Sequence, residues 1–363
     1  MSGAVGAAGA MTGYGFNQTL VSNASAVHQQ LNILTEQAST GLVAQTYAGL
    51  GSSASVALNL NPQIAALQTY NSNIDLASGG MQVTQTAMTQ IQQIAATFTA
   101  DIPNLNGLNP SEVDSVAANA RSALTQLAGL LDTQNGQNYV FGGQDSANPP
   151  VPNPDSILTS GFYTQIDTAV SGLATNGASA TAASTLAIAG SNAAGTSPFS
   201  AYMSQPASAL EAPVVQTGAT TTVRTGLLAS ANSAVKSTGS STTGSYMRDL
   251  MRALATLGSL SSSQVSAPGF GALVQDTGAS LTGAVNAMAA DVGVLGDTQA
   301  SLTATQTQLT ATTTALTGQV SSVQDADMAS TLSQLTAVQT QLQESYRMIA
   351  GASSMSLMNF LPA

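Results

Sequence analysis

Apolar residues recur at alternating spacings of three and four over long stretches near both ends of this sequence. One stripe runs from Leu20 to Leu42, and a second holds the alternation for five heptads from Leu67 to Ile102. A third keeps it for 43 residues, from Leu281 to Val323. An apolar residue every 3.5 positions predicts helices that pack along a shared seam. Both ends of the chain are therefore expected to form long helices.

Prolines and turn residues predict where the helices between these stripes begin and end. Pro62 is expected to start the second helix and Pro103 to stop it. The third helix is expected to follow an Asn109 cap, with Pro110 in its first position. Asn135–Gly136 is expected to end that helix, and residues 139–141 to form a short strand.

The C-terminal seam loses its phase near Asp325–Asp327 and resumes at Leu335. A slip in a regular seam predicts a joint between two helical segments. The two carboxylates resemble an acid–base pair or part of a calcium loop, but no Gly or Glu follows at EF-hand spacing. We therefore predict that they cap the next helix.

The middle of the chain has a different composition. Four prolines between residues 149 and 154 break any helix, and residues 171–245 are rich in Ser, Thr, Ala and Gly. We predict that this insert consists of short strands, such as 220–224, and loops, with a modest core. Tyr246, Leu250, Leu254 and Leu257 predict one more helix. Its Arg248, Asp249 and Arg252 are expected to make i,i+4 contacts on the helix surface or to touch a neighbouring subunit.

The predicted fold is mainly α, with long coiled-coil helices from both termini packed together and an inserted, β/loop-rich outer domain. The expected domains are an N-terminal helix, the N-terminal half of a helical core domain, an outer insert, the C-terminal half of the core domain and a C-terminal helix. Their ranges are 1–45, 46–143, 144–245, 246–323 and 324–363.

Composition excludes several kinds of function. The chain has no Cys and one His, His28, which excludes disulfides, thiolate metal sites and multi-histidine metal sites. A single His28 beside a seam is expected to lie in solvent or at an interface rather than in a catalytic triad. Six Lys and Arg residues do not form the basic footprint of a nucleic-acid binder. We therefore expect no enzyme activity, no metal, no cofactor and no nucleic-acid partner.

Neither targeting nor membrane signals are apparent. Residues 2–10 are small and apolar, but no Lys or Arg precedes them, so a secretory signal peptide is not expected. No run approaches 18 apolar residues, so no membrane insertion is expected.

The few charged residues avoid the ends of the chain. Charged residues make up 6% of the sequence; residues 1–100 carry two and residues 301–363 carry four. Surfaces so poor in charge are typical of segments that function in contact with partners. The alternative is a low-charge secreted protein without a partner.

Six short segments carry a recognisable pattern at the two ends of the chain: residues 31–41, 70–75, 136–143, 292–302, 324–329 and 356–361. In their order they resemble the bacterial flagellin family, which includes filament flagellin and the hook–filament junction protein. The most specific segment, Gln324–Ala329, is similar to the family's D-A/S-D pattern.

The resemblance implies a function that periodicity alone does not. Family members are exported unfolded through the flagellar type III apparatus and polymerise outside the cell into the filament used for swimming. The terminal helices form the inner layers, and the insert faces outward. The implied partners are further copies of the chain in a helical homopolymer, hook-associated proteins and a flagellar export chaperone.

We therefore assign two sets of candidate residues. The expected assembly interface comprises Leu20, Val27, Leu31, Leu34, Leu335, Leu342, Ile349, Leu357, Phe360 and Leu361. The expected intrachain coiled-coil seam comprises Leu67, Ile74, Met81, Met88, Leu302, Leu309, Leu316 and Val323.

Three functions remain open at this point. The leading one is an extracellular filament flagellin. The second is the hook–filament junction protein, toward which Tyr139–Gly143 and Ser356–Leu361 lean. The third, of another class, is a secreted surface adhesin, whose function would reside in residues 144–245 and need no polymerisation.

Overall fold

The structure is a computed structural model, and long helices account for most of it. It describes the backbone of residues 5–105, 110–239 and 241–358, and the side chains of residues 18–105, 110–239 and 241–351. The helices are α1 (Val5–Thr40), α2 (Ala54–Leu105), α3 (Pro110–Leu131), α4 (Gly161–Ser171), α5 (Leu173–Gly190), α6 (Tyr246–Gly258), α7 (Phe270–Gln324) and α8 (Met328–Met358). The prediction of a mainly α chain is confirmed.

Within the part of the chain that the structure describes, four short strands form two antiparallel hairpins. Strand β1 (Gln134–Asn135) pairs with β2 (Asn138–Tyr139), and β3 (Val214–Gln216) pairs with β4 (Thr222–Arg224). The first turn uses Gly136 at φ 65°, a conformation that favours glycine. The prediction that Asn135–Gly136 ends the third helix is wrong, because α3 ends at Leu131 and these two residues belong to the hairpin. Of the strand predicted at residues 139–141, Tyr139 lies in β2.

The chain divides into two compact units. Unit 1 comprises Met1–Leu67 and Ala311–Ala363, and unit 2 comprises Gln68–Thr310. Each unit has its own hydrophobic cluster: a small one between α1 and α8 in unit 1, and a large one that includes α3–α6 in unit 2.

In unit 1, helices α1 and α8 pack against each other and run antiparallel. Gly41, at φ 73°, ends α1, and its carbonyl accepts a hydrogen bond from the N–H of Ala326 at 2.8 Å. The N–H of Val43 donates to the carbonyl of Gln324, also at 2.8 Å. These two backbone hydrogen bonds join the chain after α1 to the residues just before α8.

The joint predicted between the C-terminal helices is present at residues 325–327. Helix α7 ends at Gln324 and α8 begins at Met328. The Asp327 carboxylate accepts hydrogen bonds from the N–H groups of Ala329 at 3.0 Å and Ser330 at 3.3 Å. Asp327 is therefore the N-cap of α8, as predicted, whereas Asp325 pairs through its backbone with Leu42.

Helix α6 lies at the centre of unit 2. Every residue from Tyr246 to Gly258 is buried, and α6 packs against α3, α4 and α5. Its last carbonyl, on Gly258, accepts hydrogen bonds from Arg121 Nη1 at 2.6 Å and the Tyr163 hydroxyl at 3.0 Å. A cation at a helix C-terminus stabilises the helix dipole and satisfies a carbonyl that lacks a partner within the helix.

The expected limits of the second helix are wrong. Helix α2 begins at Ala54, eight residues before Pro62, and continues through Pro103 to Leu105. A proline inside a helix removes one backbone hydrogen bond. Here the residues before Pro62 are also helical, and Ala57 in the first turn is completely buried. The predicted Asn109 cap lies outside the described residues, and Pro110 is the first residue of α3, as predicted.

The insert contains more helix and a larger core than predicted. Helices α4 and α5 occupy residues 161–190, within the region expected to form strands and loops. Ser160 caps α4 by accepting a hydrogen bond from the N–H of Tyr163. Phe162, Ile166 and Val170 follow at spacings of four residues and are all buried. This helical stripe is present in the sequence, but the surrounding small polar residues obscure it.

Candidate assembly interface

The residues predicted for the assembly interface meet one another inside the chain. Val27, Leu34, Val338 and Leu342 form the buried cluster of unit 1, with Leu31 and Leu335 packed against it. Leu20 and Ile349, farther along the same helices, are half-buried. These side chains therefore hold α1 to α8 in a single subunit, and their predicted contact with neighbouring subunits remains a prediction. The side chains of Leu357, Phe360 and Leu361 lie outside the described residues.

A second set of apolar side chains on α1 and α8 is exposed rather than packed between the two helices. Val21, Ile33, Leu332, Tyr346 and Met348 are each at least half exposed. The sequence interpretation missed them because they lie off the heptad stripe. A signal for them was present: Val21, Ile33, Leu332 and Met348 are apolar residues at positions where an isolated two-helix pair would place polar ones.

One groove of unit 1 collects part of this exposed surface. It has a volume of about 440 Å³ and is lined by Val21, Ala24, Ser25, His28, Gln29, Tyr346 and Ile349. His28 Nδ1 lies 3.4 Å from the Asn32 side-chain nitrogen, and the histidine is exposed. Near it, Arg347 and Glu344 form an exposed ion pair at 2.8 Å. Exposed apolar and aromatic side chains in a surface with little charge are typical of a protein contact.

The predicted intrachain seam varies in burial along α2 and α7. Within unit 2, Ile74, Met81, Met88 and Leu302 are buried in the main core, and Leu309 packs against it. Leu67, Leu316 and Val323 belong to unit 1 and are half-buried. The seam therefore has its best-packed part in unit 2.

Polar pairs interrupt the seam within unit 2. The Asn71 side-chain nitrogen donates to the Thr310 hydroxyl at 3.4 Å, and Gln306 donates to Asp75 at 2.5 Å. Such pairs across a helical seam fix its register, because a shifted alignment leaves the polar groups without partners.

The expectation that Arg248, Asp249 and Arg252 lie on a helix surface is wrong. These residues are 5%, 1% and 2% exposed. Arg252 pairs with Asp276 of α7 at 3.4 Å and donates to the Ser241 hydroxyl at 2.7 Å. Asp249 accepts hydrogen bonds from Thr242 and Thr243. Burial raises the pKa of Asp249, and these hydrogen bonds oppose the shift. The polar face of α6 is covered by irregular chain, which helical periodicity does not reveal.

The described residues also bear on metal sites and membrane insertion. In the part of the chain that the structure describes, no group of three or more His, Cys, Asp or Glu side chains could hold a metal ion. Among the same residues, none of the helices combines the length and hydrophobicity that crossing a membrane requires.

Comparison with known protein families identifies both ends of the chain. Residues 14–146 match the bacterial flagellin N-terminal helical region, and residues 279–361 match the bacterial flagellin C-terminal helical region. No curated protein matches the chain. The chain belongs to the bacterial flagellin family. It is a member of a family of structural subunits that polymerise into the extracellular flagellar filament.

Proposed function

We propose that this chain is a filament flagellin, the main subunit of the filament used for swimming. The observation that carries the proposal is the exposed apolar surface of the α1–α8 pair. The pair buries its own stripe and still exposes Val21, Ile33 and Tyr346. In a lone subunit this surface faces water, so contact with further copies of the chain would remove its apolar area from solvent.

The remaining partners follow from export and placement in the flagellum. Charge-poor terminal helices that expose apolar side chains need protection before assembly, which supports binding to an export chaperone during type III export. At its ends, such a filament would meet hook-associated proteins. The absence of Cys is compatible with transfer between compartments of different redox potential.

A matched pair of substitutions tests the contact surface. Val21 on α1 is 57% exposed and Val214 on β3 is 56% exposed. Because neither valine is buried in the single chain, both Val21→Asp and Val214→Asp should fold. We expect Val21→Asp to raise the critical concentration for polymerisation at least about tenfold, since a charge would be desolvated at the subunit contact. Sedimentation and electron microscopy of purified monomers measure this effect.

The control decides how the result is interpreted. Val214→Asp introduces the same charge on the insert and should polymerise as the wild-type chain does. Equal assembly of both variants would remove the proposed role of the exposed α1 surface. Loss of assembly in both variants would mean that net charge, rather than the α1 surface, controls polymerisation.

The second candidate is the hook–filament junction protein, which the segment Tyr139–Gly143 favours by its resemblance to that branch. Copy number separates the two. Quantitative mass spectrometry of sheared, washed filaments should find this chain as the main component by mass if it is the filament flagellin. A few copies per filament would assign it to the junction. Its absence from filaments would favour the adhesin alternative.

A further inference from the structure

A cavity of about 320 Å³ lies beside the start of α6 in unit 2. Its walls are formed by the C-terminal end of α5, by residues 205–207, and by the irregular chain that leads from β4 into α6. Arg248 and Lys236 both line it, and no Asp or Glu does. The whole chain has six basic residues and 17 acidic ones, so two cations without a carboxylate in one cavity are a marked departure from its composition.

Arg248 is a buried cation whose hydrogen bonds go to neutral groups. It is 5% exposed, and its Nε donates to the carbonyl of Ser230 at 3.0 Å. Nη1 donates to the carbonyls of Ala189 at 3.1 Å and Ser191 at 3.2 Å, and Nη2 donates to the Asn192 side-chain oxygen at 2.7 Å. The guanidinium also lies over the Phe199 ring, 5.0 Å from its centre.

Among the described residues, these contacts leave the charge of Arg248 without a counterion and one of its N–H groups without an acceptor. A guanidinium has five N–H bonds. One from Nε, two from Nη1 and one from Nη2 are occupied, so one N–H of Nη2 has no acceptor among the described residues. In the same part of the chain, no carboxylate oxygen lies within 4 Å of the group, whereas Arg252, one turn later, has Asp276. A buried positive charge without a counterion favours an anion beside it.

Lys236 provides the second cation. It is the single lysine of the chain, it is exposed, and it forms no ion pair with any described residue. Asn192 and Gln205 line the same cavity with exposed amide side chains. The cavity is thus lined by a buried cation, an exposed cation and two neutral amide side chains.

The acidic residues of this region are occupied elsewhere. Asp291 accepts hydrogen bonds from the consecutive backbone N–H groups of Ser233, Ala234 and Val235 at 2.9–3.1 Å. Asp249 is held by Thr242 and Thr243. Both carboxylates hold the irregular chain in place, and neither lines the cavity.

We propose that this cavity binds the oxyanion group of a small molecule about the size of a phosphorylated monosaccharide. The free N–H of Arg248 and the ammonium of Lys236 would bind the oxyanion, and Asn192 and Gln205 would donate to neighbouring hydroxyl oxygens. A volume of about 320 Å³ is near the lower end for small-molecule sites and exceeds what a bare phosphate fills. This site is separate from the α1–α8 surface, so it does not depend on the proposed role in the filament.

Calorimetric titration of the full-length monomer tests the proposal. The probes are inorganic phosphate, sulfate and glucose 6-phosphate at constant ionic strength. We expect saturable binding at one site per chain. Tighter binding of glucose 6-phosphate than of phosphate would support a sugar-sized ligand, and equal binding of phosphate would overturn the proposed ligand size in favour of the free ion. The absence of saturable binding by all three probes would overturn the proposal.

Two variants with the same loss of charge provide the control. Lys236→Gln removes the exposed cation of the cavity, and Arg224→Gln removes an exposed cation of β4 that does not line it. We expect Lys236→Gln to weaken binding about tenfold or more, because a charge-assisted hydrogen bond is lost, and Arg224→Gln to leave it unchanged. Equal weakening by both variants would indicate non-specific attraction to positive charge and would contradict the site. Unchanged melting temperatures without ligand would establish that both variants are folded.

Discussion

The α1–α8 pair and helix α6 bury their side chains in different ways. The pair buries one stripe of each helix, around Val27 and Leu34, and leaves apolar side chains in water on the other faces. Helix α6 is buried on every side, including two arginines and an aspartate. A stripe can be covered by one partner helix, whereas a helix buried all round needs packing partners on every face and hydrogen-bond partners for most of its polar groups. The first arrangement leaves surface for further partners, and the second holds unit 2 together.

Truncating one leucine in each region should give the largest difference. Leu254 in α6 is fully buried, and Leu254→Ala should cost about 4 kcal/mol because it leaves a cavity in a closed core. Leu34 in α1 belongs to a cluster of four buried residues, and Leu34→Ala should cost about 2 kcal/mol. Hydrogen exchange followed by mass spectrometry measures the opening of each helix separately. A larger effect at Leu34 would reverse the comparison.

The stability lost on breaking each of the two arginine–carboxylate pairs should differ nearly as much. Arg252→Met breaks a pair whose arginine is buried and whose carboxylate is partly exposed. It should destabilise unit 2 by about 2 kcal/mol, because Asp276 loses its counterion and keeps the hydrogen bond from the Ser241 hydroxyl. Arg347→Met breaks the exposed pair with Glu344 and should cost less than about 0.5 kcal/mol. Urea denaturation of the monomers gives both values. Similar costs for the two variants would mean that α6 is less enclosed than its burial indicates.

The smallest expected effect is a dependence of folding stability on pH. Burial raises the pKa of Asp132, at the end of α3, to about 6, although the N–H of Val151 donates to it. Because the folded state binds the proton more tightly than the unfolded state does, stability should fall as pH rises from about 4 to about 6 and then stay level. Asp132→Asn should remove this slope and stabilise the protein at pH 7 by about 1 kcal/mol, since water screens the half-exposed carboxyl.

The control for this test is an exposed carboxylate of α7. Asp297→Asn removes an exposed carboxylate that forms no hydrogen bond or ion pair with any described residue, and it should leave the pH dependence of unfolding in place. Thermal unfolding between pH 4 and pH 7 compares the variants. If both variants kept the slope, Asp132 would not be its source.

The sequence predicted what depends on one repeating pattern. The long helices, the joint at residues 325–327, the Asp327 cap and the position of α6 all follow from spacing or from a single capping group. The extension of α2 to Ala54 was missed because Pro62 is typical of a helix start, whereas the helix here continues through it and has Ala57 buried in its first turn. Helix α5 was missed because its Ala, Ser and Thr residues show no clear stripe.

The functional surfaces were predictable only in part. Periodicity identified the stripes of α1 and α8, but it could not state whether their partner was another copy or the other end of the same chain. The charged residues of α6 were assigned to a surface because i,i+4 spacing is the same for exposed and buried helices. Their partners, such as Ser241 and Asp276, come from distant segments that no local pattern connects to them.

The central position of α6 also affects the order of folding. The hydrogen bond between Arg121 and Gly258 joins residues 137 positions apart. The helix that α3, α4 and α5 pack against comes after all of them in the chain. Packing of α3 against α6 therefore requires closure of a loop longer than a hundred residues, which slows folding relative to a bundle of neighbouring helices. A chain that emerges N-terminus first exposes the apolar faces of α3–α5 until α6 has emerged. The core of unit 2 therefore stays incomplete until residue 258 is available for packing.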